Sequence, residues 1–245
     1  MYTRTEFENL RIQSAEEMAA DVTLREKALE VLVAADHYRW IHQSNWLGEP
    51  CLQLPQDMFA LQEIIFQTRP RFVIETGVAW GGSLLFYSTL MHALGGERVI
   101  GVDIYIPPDL RERLSAFGAL SERITLIEGS STASETIAQV REIVGDSRAV
   151  LAVLDSDHTQ AHVLNELHAY SNLVGKGHYL VCSDTIVEDI PPQTHRPRSW
   201  GPGNNPQSAL TAFLKEQDAF VADKRIENKL LFTCNPHGYL VRVKD

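Results

Sequence analysis

The chain has 245 residues, 44% of them hydrophobic and 22% charged, and carries a formal net charge of −10. Those proportions suit one globular domain with a sizeable core, and the negative balance, with no long basic run, excludes a general binder of nucleic-acid backbones. Cys51, Cys182 and Cys234 stand far apart with no Cys-x-x-Cys pair, so neither a disulfide framework nor a thiolate zinc site is expected, and reduced thiols point to a cytoplasmic setting.

The first twenty residues are polar and lack the apolar core of a secretory signal, and no apolar run approaches membrane-spanning length. Helix formers follow, with Leu24, Ala28, Leu29 and Leu32 at roughly helical spacing. Tyr38, Trp40 and Trp46 then crowd near Gly48, Pro50 and Pro55, which reads as a loop or lid. Residues 1–55 are therefore expected to form a helical and aromatic extension, for covering a site or for assembly, ahead of a main domain over 56–245.

In that domain the pattern alternates. QDMFALQEIIFQTR, GSLLFYSTLMHAL, LRERLSAFG, ASETIAQVREIV and HTQAHVLNELHAYSNLV predict helices. Between them RFVIET, RVIGVDI, ITLIEGS, AVLAVLDS and HYLVCSDT predict strands. Near-continuous apolar strands separated by amphipathic helices mean parallel strands covered on both faces. The fold class is thus α/β: a Rossmann-like, doubly wound, mostly parallel sheet. The last residues, ENKLLFTCNPHGYLVRVKD, predict two strands about an NPHG turn, an antiparallel C-terminal hairpin at the sheet edge.

In such sheets ligands bind beyond the carboxyl ends of the strands. Glu75 ends the first strand, and Gly77, Ala79, Gly81 and Ser83 make the turn into the next helix. The pattern is E-x-G-x-x-x-G-G-S, not the G-x-G-x-x-G of dinucleotide folds. An acid at the strand tip in place of a pyrophosphate cradle suits a cationic nucleoside, S-adenosylmethionine. Asp103 ends the second strand, where an acid can accept from both ribose hydroxyls. Glu128 to Ser131 end the third, with Ser130 bordering the adenine. A glycine-rich structural turn with incidental acids is the plainer alternative.

Asp155, Asp157 and His158 bunch at the fourth strand tip, and Asp184 ends the fifth, followed by Glu188 and Asp189. Carboxylates converging without an arginine are held by a hard divalent cation such as Mg²⁺. The cation would hold a substrate hydroxyl and lower its pKa, with His158 or Asp155 as the base. Asp155 is also counted with the cofactor-binding residues. The competing reading is that these acids cap the next helix. His162 and His178 read as ordinary structural or surface histidines, and Cys182 as buried packing. Beyond the fifth strand, a long Pro/Gly/Asn loop carries His195, Arg196, Arg198 and Trp200, candidates to close over a polar substrate. Asn205-Pro206 then starts a helix.

ETGVAWGGS, VIGVDI, LDSDHTQAHVLNELHAYSNLVGKGHYLVCSDT, WGPGNNPQSAL and NPHGYLVRV resemble the cephalosporin hydroxylase / rhamnosyl O-methyltransferase family, over about residues 35–245. The resemblance implies S-adenosylmethionine-dependent O-methylation on a Rossmann-like fold. It implies Mg²⁺ held by Asp157 and by the pair Ser183-Asp184, where a serine replaces the family's first acid. A wider similarity to catechol-type O-methyltransferases would place the ligand on Asp155 instead. The expected activity is Mg²⁺-assisted O-methylation of a small polar acceptor, a sugar or secondary metabolite, by a homo-oligomer. A nicotinamide-dependent oxidoreductase and a non-catalytic nucleotide-binding or assembly module are the alternatives.

Overall fold

The computed structural model describes residues 2–245. The chain opens with two helices, α1 (Arg4–Ala20) and α2 (Val22–Asp36). Thr3 and Glu6 form a capping box on α1. The break falls at Asp21, whose side chain accepts the Leu24 amide and so starts α2. A short 3₁₀ turn, Trp40–Gln43, leads to a miniature hairpin of β1 (Asn45–Trp46) and β2 (Glu49–Pro50). This stretch is fastened to the main domain: the Trp46 ring meets Phe86 edge-on at 5.1 Å, and its indole N–H donates to Thr89.

The elements that follow are α3 (Pro55–Thr68), β3 (Phe72–Thr76), α4 (Gly82–Leu94), β4 (Arg98–Asp103), α5 (Pro108–Ser115), β5 (Ile124–Glu128) and α6 (Ser134–Val144). After them come β6 (Val150–Leu154), α7 (Gln160–Ser171), β7 (Tyr179–Cys182), α8 (Pro206–Glu216), β8 (Phe220–Ala222), α9 (Lys224–Glu227) and β9 (Tyr239–Arg242). Seven strands form one sheet in the order β5-β4-β3-β6-β7-β9-β8. The first five run parallel; β9 is antiparallel to both β7 and β8.

Successive side chains of a strand point to opposite faces, so each strand feeds two cores. In β3, Val73 packs with Ile64 and Ile65 of α3 and Leu84 and Leu85 of α4. Its neighbour Ile74 packs with Val140 of α6, Leu167 of α7 and Leu210 of α8. Full burial of one such side chain contributes roughly 1.5–3 kcal/mol, which is why both faces are covered by helices. The strand order reverses between β4 and β6 on either side of β3, and that crevice at the carboxyl ends places the site.

The antiparallel hairpin at the sheet edge is present, but its first arm is β8 rather than residues 228–234. The residues expected as that arm are irregular because their polar and apolar groups have partners elsewhere. The Asp57 carboxylate, buried in α3, accepts the Thr233 hydroxyl at 2.6 Å, the Cys234 amide at 2.8 Å and the Tyr239 hydroxyl at 2.8 Å. Phe232 meets the Trp40 ring at 5.7 Å. Asn205 and Ser208 form a capping box on α8, with Pro206 in its first turn, as the sequence indicates. All three cysteines are free and buried. Among the described residues no helix is long and apolar enough to cross a membrane.

Candidate active site

The glycine turn is shaped by close backbone approach. Gly77 has φ +89°, and a Cβ there would lie 2.0 Å from the Asp155 carbonyl oxygen, so only glycine lets the turn after β3 pass beneath the tip of β6. At Gly82 a Cβ would sit 2.3 Å from the Pro50 carbonyl oxygen, which seats the miniature hairpin on the start of α4. Ala79 also lies in the left-handed region, at φ +46°.

Asp103 holds this turn in place. One of its carboxylate oxygens accepts the Val78 amide at 2.8 Å and the Ala79 amide at 3.3 Å; the other accepts the Tyr105 amide at 3.2 Å. A carboxylate has about four lone-pair sites, so acceptor capacity remains for ligand hydroxyls. Glu75 is fully buried and accepts the Ser83 hydroxyl at 2.6 Å. Burial, with Asp155 nearby, pushes its pKa up to about 8.

At the tips of β6 and β7, Asp155, His158 and Asp184 each offer an atom within 4.8 Å of the others. His158 Nδ1 lies 3.1 Å from Asp184 and Nε2 3.6 Å from Asp155. Burial alone would strip the imidazole of its proton, but Asp184 and Asp155 outweigh it and push His158 up to about 10. Asp184 is held below the ordinary carboxylate range: burial opposes this, and His158 prevails. Asp155 is raised, chiefly by burial. The Asp184 backbone adopts φ +54°, and its amide donates to Asn235 Oδ1 at 3.0 Å. A residue kept in that sparsely populated conformation marks a spot where the surroundings fix the side chain's aim.

These groups line a single cavity of about 1160 Å³. Of the residues singled out in the sequence, Gly77, Ala79, Ser83, Asp103, Ser130, Asp155, Asp157, His158 and Asp184 line it. Glu75, Gly81 and Ser183 stand off its wall. Glu75 lies beneath the turn on Ser83, and Gly81 packs against Leu110 and Leu114. Ser183 borders a water-sized void shared with Asp57, Asp155, Asp184 and Asn235. Asp157 does not join the triad: one of its oxygens accepts the Thr159 amide at 2.8 Å and the Thr159 hydroxyl, closing a turn just before α7. Thr159 is the N-cap residue of α7 and no side chain caps that helix, so the helix-cap reading weighed for the acidic tip gives way to a turn that holds Asp157.

The donor set fits a hard divalent cation. Two carboxylates with room for water are what Mg²⁺ takes, and the imidazole extends the set toward Mn²⁺. The cavity fits an adenosyl cofactor by the same kind of test. Gly77 and Ala79 bring bare backbone to its wall, and Asp103 keeps free acceptor sites at the tip of β4.

Residues 38–243 match the model of the rhamnosyl O-methyltransferase/CmcI family. The chain belongs to this family. A rhamnosyl O-methyltransferase of Mycobacterium leprae is 31% identical over 222 residues, covering 86% of this chain and 90% of that protein. One from Mycobacterium tuberculosis is 28% identical over 219 residues, 86% and 85% of the two chains. Among solved structures, CmcI with Mg and SAM superposes with a TM-score of 0.58 at 23% identity, over 83% of this chain and 78% of that one. An O-methyltransferase from Bacillus cereus in complex with SAH gives 0.52 at 17% identity, over 94% and 97%. At those identities the structural likeness is one of fold.

For this family member, sequence reasoning left several cavity residues unassigned. Asp36, at the end of α2, is buried and accepts Gln193 at 2.6 Å, His195 at 3.0 Å and Arg196 at 2.9 Å. His42 lies 3.4 Å from Arg196. Both line the cavity, so the N-terminal extension and the loop after β7 build one wall together. His162, read as ordinary, also lines it and bonds Ser131 and Ser156, each at 3.0 Å. A histidine one turn beyond the acidic tip, four residues before Glu166, was the available signal.

Proposed function

We propose that the chain is a Mg²⁺-assisted, S-adenosylmethionine-dependent O-methyltransferase acting on a hydroxyl of a small polar acceptor, a sugar or secondary metabolite. The observation that carries this is that the glycine turn and the Asp155-His158-Asp184 triad open into one cavity. The names of the mycobacterial relatives, which specify a rhamnosyl acceptor, favour a sugar.

In this reading Asp103 holds the ribose hydroxyls, Gly77, Ala79 and Ser83 form the wall along the cofactor, and Ser130 borders the adenine. Glu75 acts through Ser83. Asp155 and Asp184 hold the cation, with His158 beside them; Asp157 is left to the turn before α7 and Ser183 to backbone support. The cofactor supplies the electrophilic methyl group, and the cation lowers the pKa of the acceptor hydroxyl. The protein's remaining task is to aim that oxygen in line with the methyl carbon and remove its proton. With Asp155 and Asp184 given to the cation, His158, which lies between the two carboxylates, is the group placed to take that proton.

The nicotinamide alternative meets a physical obstacle: the Val78 and Ala79 amides, which a pyrophosphate would need, already donate to Asp103. Calorimetric titration tests the proposal. S-adenosylmethionine binds the intact chain and loses most of its affinity in Asp103→Ala; unchanged affinity refutes the cofactor assignment.

A further inference from the structure

The wall of the cavity opposite in charge to the acidic tips has a feature that methyl transfer alone does not require. Trp200 sits with its ring 4.9 Å from the His158 ring, tilted by 41°. The Arg198 guanidinium stands over the same indole, 5.2 Å from the ring centre. Both line the cavity. The neighbouring Arg196 is neutralised, since its guanidinium is bonded to the buried Asp36 carboxylate and to Gln193. Arg198 differs: among the described residues no carboxylate or carbonyl accepts from it.

A chain of net charge −10, with Asp36, Asp103, Asp155, Asp157 and Asp184 along the same cavity, would repel an anionic acceptor unless something local reversed the field. Burial and the Arg196 charge hold Arg198 below the ordinary arginine range against the opposing pull of Asp184 and Asp36, neither of which bonds it. Ile41, Pro191 and Pro192 of this wall are apolar, and its acid, Asp36, is taken by Gln193, His195 and Arg196. A guanidinium spread over an aromatic face keeps its outward N–H fork free, the geometry that takes a carboxylate or phosphate in two parallel bonds.

Resting on the function proposed above, we infer that the methyl acceptor is an anion: a hydroxylated ring bearing a carboxylate or phosphate, its ring against Trp200 and its acid on Arg198. Trp200 and Arg198 thereby become specificity-determining residues of the acceptor end. A neutral acceptor would leave that fork to water.

The test uses the full chain saturated with S-adenosylhomocysteine and Mg²⁺, titrated with benzoate, phenyl phosphate and the neutral methyl benzoate, followed by ligand-observed NMR and calorimetry. The two anions bind at least tenfold tighter than the ester, the margin shrinks with added salt, and whichever anion is tighter separates carboxylate from phosphate as the recognised group. Arg198→Gln erases the margin without changing affinity for S-adenosylhomocysteine, and Arg198→Lys restores part of it. Equal binding of ester and anions, no binding of either anion, or a margin that survives Arg198→Gln overturns the inference. Loss of S-adenosylhomocysteine binding in the intact chain, with the anion margin retained, instead counts against the methyltransferase reading and spares the anion site.

Discussion

Replacing Gly77 by alanine probes how tightly the cofactor turn is bound to the metal tip. The new Cβ would meet the Asp155 carbonyl oxygen at 2.0 Å, its carbon at 2.7 Å and Ser156 Cα at 3.1 Å. All three are backbone atoms, so no side chain can swing aside, and either the turn or the end of β6 must move. Overpacking of this kind costs roughly 1–3 kcal/mol or more, and a left-handed alanine adds about 1–2. A total of roughly 2–5 kcal/mol lowers Tm by about 10 °C in a chain of this size. Gly95→Ala serves as the control: it has φ +81° with nothing within 4 Å, so it carries the conformational cost alone, about 3–5 °C. Scanning calorimetry gives the two shifts, and Mg²⁺ titration shows whether the displaced Asp155 still meets Asp184. If Gly77→Ala melts no lower than Gly95→Ala and binds Mg²⁺ as tightly as the unaltered chain, the coupling of turn to tip is wrong.

Three more perturbations read other parts of the site. Glu75 has its folded-state pKa raised from 4.5 to about 8; the folded chain keeps the proton that the unfolded chain has lost, so this group costs stability increasingly as pH climbs from about 4.5 to 8. Glu75→Gln therefore gains on the unaltered chain across that window by a few kcal/mol, at about 1.4 per pH unit, and not below it; urea melts at pH 4 and pH 8 showing equal differences would contradict this. Asp184→Asn removes a ligand oxygen's charge, so the rise in Tm that Mg²⁺ is expected to give the intact chain vanishes in this variant, and a rise that persists argues for other ligands. Helix α1 buries no residue although Phe7, Leu10 and Ile12 are exposed on it; the proposed self-association predicts a smaller assembly by light scattering after deletion of residues 2–21, and an unchanged mass would exclude α1 from that role.

The parallel core was readable because each strand is a nearly unbroken apolar run, and the acids that matter follow directly at strand tips. Asp103, Asp155 and Asp184 could be placed from that rule alone. Which acid turns inward could not, because Asp155 and Asp157 differ only in whether a neighbour claims the side chain, and Thr159 claims Asp157. The first arm of the hairpin misled for a related reason: LLFT has strand-like composition, but Phe232 and Thr233 are drawn to Trp40 and Asp57, contacts set by tertiary structure. Three-residue β8 hides inside a charged stretch. The pairing of Arg196 with Asp36 was least legible: the loop pointed to Arg196, but its partner lies 160 positions away and belongs to no motif.

A cofactor and a cation lying side by side at neighbouring strand tips are the core of the proposed function. Co-crystals grown with S-adenosylhomocysteine and Mg²⁺ test it most directly. The expected density shows the ribose on Asp103 and an ion about 2.1 Å from oxygens of Asp155 and Asp184, with the cofactor sulfur turned toward it. An ion bound by Asp157 with Asp155 and Asp184 turned away, or a nucleoside seated elsewhere, would contradict it.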